Sequence, residues 1–74
     1  MKLPIISGKE AAKRFSKVGF EHVHTRGSHL IYRLKKHPHT KLSIPNHGTL
    51  GKGLLRQLVR DAGITVKEFV ELKK

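Results

Sequence analysis

Seventy-four residues make one domain, expected to span 1–74, and a chain this short buries only about 60–65% of its unfolded surface. Sixteen Lys and Arg against five Asp and Glu give a net charge of +11. Such a surface repels itself unless an anion is bound, so nucleic acid comes first among partners, ahead of a membrane surface or an acidic protein. There is no cysteine, which excludes disulfides and thiolate metal sites and fits the cytoplasm. The opening "MKLPIISGKE" is too short for a signal-peptide core, and no stretch approaches a membrane span.

The first element, "SGKEAAKRFSKVGF", predicts a helix over residues 8–18. Ser7 and Glu10 match the S-x-x-E capping box. Ala11, Phe15 and Val18 form a narrow apolar stripe, and Gly19 suits the position after a helix end. "FEHVHTR" follows as a strand with one wet face. Gly27-Ser28 makes a tight turn into a second strand, "HLIYRLKK". Alternation puts Leu30, Tyr32 and Leu34 on one face and His29, Ile31 and Arg33 on the other. Pro38 breaks the pattern, and "TKLSIP" is a third strand, closed by Pro45. Three strands joined by short turns predict an antiparallel meander. The loop "NHGTLGKG" leads to a second helix, "LLRQLVRDAG", with a wide apolar face from Leu54, Leu55, Leu58, Val59 and Ala62. Thr65 and Glu68 offer a second capping box, and Ile64 with Phe69 a hydrophobic staple, for a short third helix. The fold expected is α+β, of the double-stranded-RNA-binding-domain type. It runs α-β-β-β-α plus a short C-terminal helix, with the helices on one face of the sheet.

Chemistry concentrates at Arg26-Gly27-Ser28-His29. The run resembles an expression-tag remnant, but it lies mid-chain and continues into a strand. Gly27 permits close backbone approach, Ser28 adds a hydroxyl, and Arg26 and Arg33 bring positive charge. Histidine titrates near neutral pH and can take or return a proton. RNA carries its own nucleophile, the 2′-hydroxyl. A metal-free ribonuclease therefore needs only a base, an acid and cations to stabilise the phosphate. The other histidines are His22, His24, His37, His39 and His47. The pairs His22/His24 and His37/His39 are spaced to share a strand face, yet without cysteines or well-placed carboxylates no metal site is expected. Gly48 and Gly53 are five apart, but Leu54 follows where a phosphate-loop lysine is required, which excludes that motif. The basic loop can still present a helix N-terminus to a phosphate. Four aromatic residues, Phe15, Phe20, Tyr32 and Phe69, provide no base-stacking platform, so recognition by phosphate contacts and shape is favoured.

Gly19-Phe20, Arg26-Gly27-Ser28-His29, Ile44-Pro45 and "GTLGKGLLRQLVRDAGITVKEF", in this order and spacing, resemble the HicA family of type II toxins. The resemblance implies a double-stranded-RNA-binding-like fold and ribosome-independent cleavage of mRNA with no cofactor. It assigns the catalytic histidine of the family's G-S-H element to His29. It also implies a HicB-like antitoxin that covers the active site and forms a repressor complex. Leu30 stands where many members carry a second histidine.

These readings converge on an endoribonuclease toxin, or mRNA interferase. His29 is the expected acid/base catalyst, and Arg26, Gly27, Ser28, Arg33, Lys52 and Arg56 are the expected RNA contacts. The expected partners are mRNA and a HicB-like antitoxin, with no membrane and a monomeric free toxin. Two alternatives use the same charge: a non-catalytic RNA-binding module, and a protein whose basic face docks an acidic partner.

Overall fold

In the computed structural model, residues 2–72 are described; Lys73 and Lys74, at the end of the stretch read as a third helix, lie outside them. The elements are α1 (Gly8–Ser16), β1 (Phe20–Arg26), β2 (His29–Leu34), β3 (Lys41–Pro45), α2 (Lys52–Asp61) and α3 (Val66–Glu71). Their order is the expected one. α1 stops two residues short of the predicted end because its last turn tightens. The amides of Lys17, Val18 and Gly19 donate to carbonyls three residues back, a common way to satisfy the last groups of a helix.

Ser7 caps α1 as predicted, its hydroxyl accepting the Glu10 amide at 3.1 Å. The reciprocal half of that capping box is not made. The Glu10 carboxylate instead lies 3.4 Å from the Arg14 guanidinium, one turn along, where a charged donor outcompetes a neutral amide. The box at α3 is complete, with Thr65 and Glu68 exchanging bonds of 2.9 and 3.0 Å. Ile64 and Phe69 both join the core there.

The sheet is a three-stranded antiparallel meander with β2 in the centre. Phe20 pairs with Leu34, Glu21 with Arg33 and His22 with Tyr32; the register then slips, so that His24 pairs with Ile31 and Arg26 with His29. Val23 is the extra residue of this β-bulge. The bulge corrects the expectation that His22 and His24 share a face. Their partners Tyr32 and Ile31 are neighbours on β2 and point to opposite sides, so the two histidines do as well. His22 lies with Tyr32, the rings meeting edge-on at 5.4 Å, and its Nε2 is 3.1 Å from the Thr25 hydroxyl. On β2 the predicted parity holds: Leu30, Tyr32 and Leu34 pack against the core, while His29 and Arg33 are exposed.

α1 and α2 cover the inner face and lean mainly on β3. Between them and the sheet Phe15, Leu42, Ile44, Leu55 and Phe69 are fully enclosed. Phe15 is the hub, its ring 5.9 Å from that of Phe20 and 5.0 Å from that of Phe69. Arg14 is buried, which is rare for a cation. Its guanidinium sits 5.3 Å above the Phe69 ring and beside Glu10, so aromatic face and carboxylate together offset its desolvation. This is the α+β fold of the double-stranded-RNA-binding type, extended by α3. Among the described residues no helix is long and apolar enough to cross a membrane.

Candidate nucleic-acid interface at one end of the sheet

The tight turn between β1 and β2 is Gly27-Ser28, and Gly27 adopts φ +60°, a left-handed conformation that glycine enters without penalty. A β-carbon at Gly27 would meet nothing within 4 Å, so the turn borders open space. β2 begins immediately afterwards with His29, which pairs with Arg26 on one side and Pro45 on the other. Directly opposed residues share a face. Arg26 therefore stands beside His29 on the side away from the helices, and both are exposed.

The chain leaving β3 stays close to this turn. Asn46 donates its amide to the Ser28 carbonyl at 2.7 Å, and the His47 carbonyl accepts the Gly8 amide at 2.9 Å. Leu50 then bonds the Ile6 carbonyl at 2.8 Å before α2 begins. Gly8 is fixed by a close approach: a β-carbon there would collide with the Pro45 carbonyl. The β1–β2 turn, the end of β3, the start of α1 and the loop into α2 are thereby tied into one backbone assembly. Asn46 and His47 are exposed beside Ser28 and His29. Sequence reasoning missed this neighbourhood because a loop carries no periodicity that would reveal which strand it borders.

α2 starts on the far side of that loop. Its N-cap is Gly51, without a side-chain cap or an acidic residue in the first turn. Its free amides and the positive end of its dipole therefore meet water. Lys52 sits at this end, and Lys52, Arg56 and Arg60 follow at four-residue intervals along one side of the helix. Arg56 and Arg60 border a shallow groove of about 470 Å³ with Val59, Gly63, Ile64 and Val66, and that groove does not include the turn at His29.

Of the expected site residues, Arg26, Gly27, Ser28 and His29 lie together, and Lys52 opens the helix reached through the loop that Ser28 anchors. Arg33 does not join them. It shares the outer face with His29 but lies four residues along β2, roughly 13 Å at strand rise, in a 2.9 Å ion pair with Glu21. Arg26, Lys52 and Arg56 are in neither of the ion pairs seen among the described residues. Among the described residues no three His, Asp or Glu side chains converge as a metal site would require.

No curated protein matches this chain. The family described as HicA toxin of bacterial toxin–antitoxin systems matches residues 8–64. That span runs from the first residue of α1 to the threshold of α3 and contains Arg26, Gly27, Ser28, His29, Asn46, His47, Lys52 and Arg56. The chain belongs to the HicA toxin family.

Proposed function

We propose that this protein is a ribosome-independent mRNA interferase. His29 is its acid/base catalyst, residues 1–74 form a single toxin domain, and a HicB-like antitoxin neutralises it by covering the His29 end of the sheet in the cytoplasm. The observation that carries the reading is the setting of His29. It is an exposed imidazole at the start of the central strand, opposite an arginine and beside an open glycine turn. A phosphodiester approaching there meets a proton acceptor and a cation together.

His29 takes the proton of the 2′-hydroxyl as O2′ attacks phosphorus. Arg26 neutralises charge on the non-bridging oxygens. Gly27 and Ser28 shape the approach, and Lys52 and Arg56 hold phosphates further along the strand at and beyond the α2 N-terminus. Arg33 contributes longer-range charge, reduced by its pairing with Glu21. The reaction needs no metal or organic cofactor, because the substrate supplies the nucleophile.

Expression of His29→Ala tests the assignment. Growth arrest and RNA decay should both disappear, and their persistence would remove His29 from the mechanism. The RNA fragments should end in 2′,3′-cyclic phosphate and 5′-hydroxyl; fragments bearing only 5′-phosphates would exclude attack by the 2′-hydroxyl. A second reading, a non-catalytic RNA-binding module, draws support from one observation: no described residue forms a hydrogen bond that orients the His29 ring. An RNA with a 2′-deoxy residue at the cleavage position separates the two. An interferase spares it and cuts its all-ribose counterpart, whereas a binding module leaves both intact.

A further inference from the structure

Cleavage by the route above requires two proton transfers, and His29 accounts for one. A second imidazole at position 30 would not have served as its neighbour. Leu30 pairs with Ile44 on the helix side of the sheet, so position 30 and His29 occupy opposite faces. The second group has to stand on the face of His29.

Resting on the interferase reading, we propose that His47 is the general acid that protonates the leaving 5′-oxygen. The β2–β3 register pairs His29 with Pro45. The 2.7 Å bond from the Asn46 amide to the Ser28 carbonyl carries that register one step further. Alternation along this extended chain returns position 47 to the face of Pro45 and His29. It is then a diagonal neighbour of His29, with Cα atoms about 7–8 Å apart and long side chains within reach. The His47 backbone is held from both sides, by Ser28 through Asn46 and by the Gly8 amide at 2.9 Å. Its side chain is exposed. The backbone position is thus fixed while the imidazole stays open to a bound phosphodiester.

His24 is the other candidate. It pairs with Ile31 on the same outer face and is also diagonal to His29. The two diagonals differ in what lies between them. The other corners of the His24 square are Arg26 and Ile31, two large side chains. Those of the His47 square are Gly27, which has no side chain and opens onto space, and Pro45, which is buried. The second diagonal is the one with a corner that carries no side chain, at Gly27, and that corner gives a phosphodiester its approach between the two imidazoles, with Arg26 at its margin.

In the step itself, O2′ loses its proton to His29 and bonds to phosphorus. The P–O5′ bond breaks with its electron pair passing to O5′, and O5′ takes a proton from the His47 imidazolium. The products are a 2′,3′-cyclic phosphate and a 5′-hydroxyl. The two histidines exchange protonation states and are reset by water.

A substrate with sulfur in place of the bridging 5′-oxygen isolates the second transfer, because a thiolate, with a thiol pKa near 8.5, leaves without a proton. His47→Ala should slow cleavage of the oxygen-linked RNA by about 10²–10⁴-fold and recover to within about tenfold of wild type on the sulfur-linked one. His29→Ala should stay slow on both, and His24→Ala should be near wild type on both. An equal defect of His47→Ala on the two substrates, or full activity on the oxygen-linked RNA, overturns the assignment. So does the sulfur-rescue signature appearing in His24→Ala. If the wild-type chain leaves RNA intact, the interferase reading falls along with this one, whereas an active wild type beside an equally active His47→Ala removes His47 alone. Retained RNA binding and an unchanged melting temperature serve as the folding controls for each variant.

Discussion

The two ends of the sheet are built on opposite terms. At one end Phe20 and Leu34 pair across β1 and β2. Phe15 and Phe69 close over that end from α1 and α3, the Arg14 cation is buried against an aromatic face, and on the outer face Arg33 is matched by Glu21. At the other end Arg26 and His29 face each other with no acidic partner among the described residues. Gly27 is open, and the loop after β3 is held by main-chain bonds together with the buried Leu50 side chain. The first end uses apolar area and charge pairing to stabilise the fold. The second keeps its charge and its imidazoles available, and relies on backbone hydrogen bonds to fix their positions. A small domain can separate stability from reactivity in this way because the sheet spans both regions.

Replacing a side chain at the packed end should unfold the protein without touching the chemistry. Phe15→Ala is expected to cost about 3–5 kcal/mol, comparable to the whole stability of a domain this small; urea titration followed by circular dichroism reads the loss directly. At the open end the opposite holds. His29→Ala should lower cleavage by about 10²–10⁴-fold while the melting temperature stays within the range of a neutral surface change, about 0.5 kcal/mol. A large stability loss there would break the contrast.

Gly8→Ala probes the joint between the regions. Its β-carbon would collide with the Pro45 carbonyl, so α1 must shift at a cost of about 1–3 kcal/mol. Cleavage measured well below the melting temperature should fall further than stability explains, since the Gly8 bond to His47 is displaced as well. Smaller again is the pair Arg26→Ala and Arg33→Ala. The first should reduce the salt dependence of RNA affinity by about one phosphate contact, and the second by clearly less. Equal slopes would show that pairing with Glu21 does not hold Arg33 back. The smallest change is Glu21→Gln, which frees Arg33 from an exposed ion pair worth about 0.2–1 kcal/mol. Tighter RNA binding at low salt, fading as salt rises, is the expected result.

Much of this was legible in the sequence because alternation and capping are local rules. Phe20–Arg26 and the start of β2 at His29 fall where the half-polar run and the Gly27-Ser28 turn put them. His29 faces away from Leu30, Tyr32 and Leu34, as period two requires. What escaped depends on long-range geometry. "FEHVHTR" reads as a strand with one wet face, and the bulge at Val23 follows only from how β1 meets β2. Arg33 looked close to His29 in sequence, but an extended chain carries four residues roughly 13 Å. Nothing local marks Arg14 for burial, which depends on Phe69, far along the chain. The nearness of His47 to His29 rests on two main-chain bonds that no side-chain pattern encodes.

The bulge at Val23 also bears on how copies of this chain treat one another. β1 is an edge strand, and an unbroken edge offers a template on which a second copy could add its own strand. An extra residue in mid-strand interrupts the row of free amides and carbonyls and increases the local twist. The like charge of neighbouring molecules works in the same direction, but a polyanion would screen it. The bulge is a steric feature that no counterion removes. Where a bound polyanion neutralised that repulsion, the irregular β1 edge would still discourage edge-to-edge pairing.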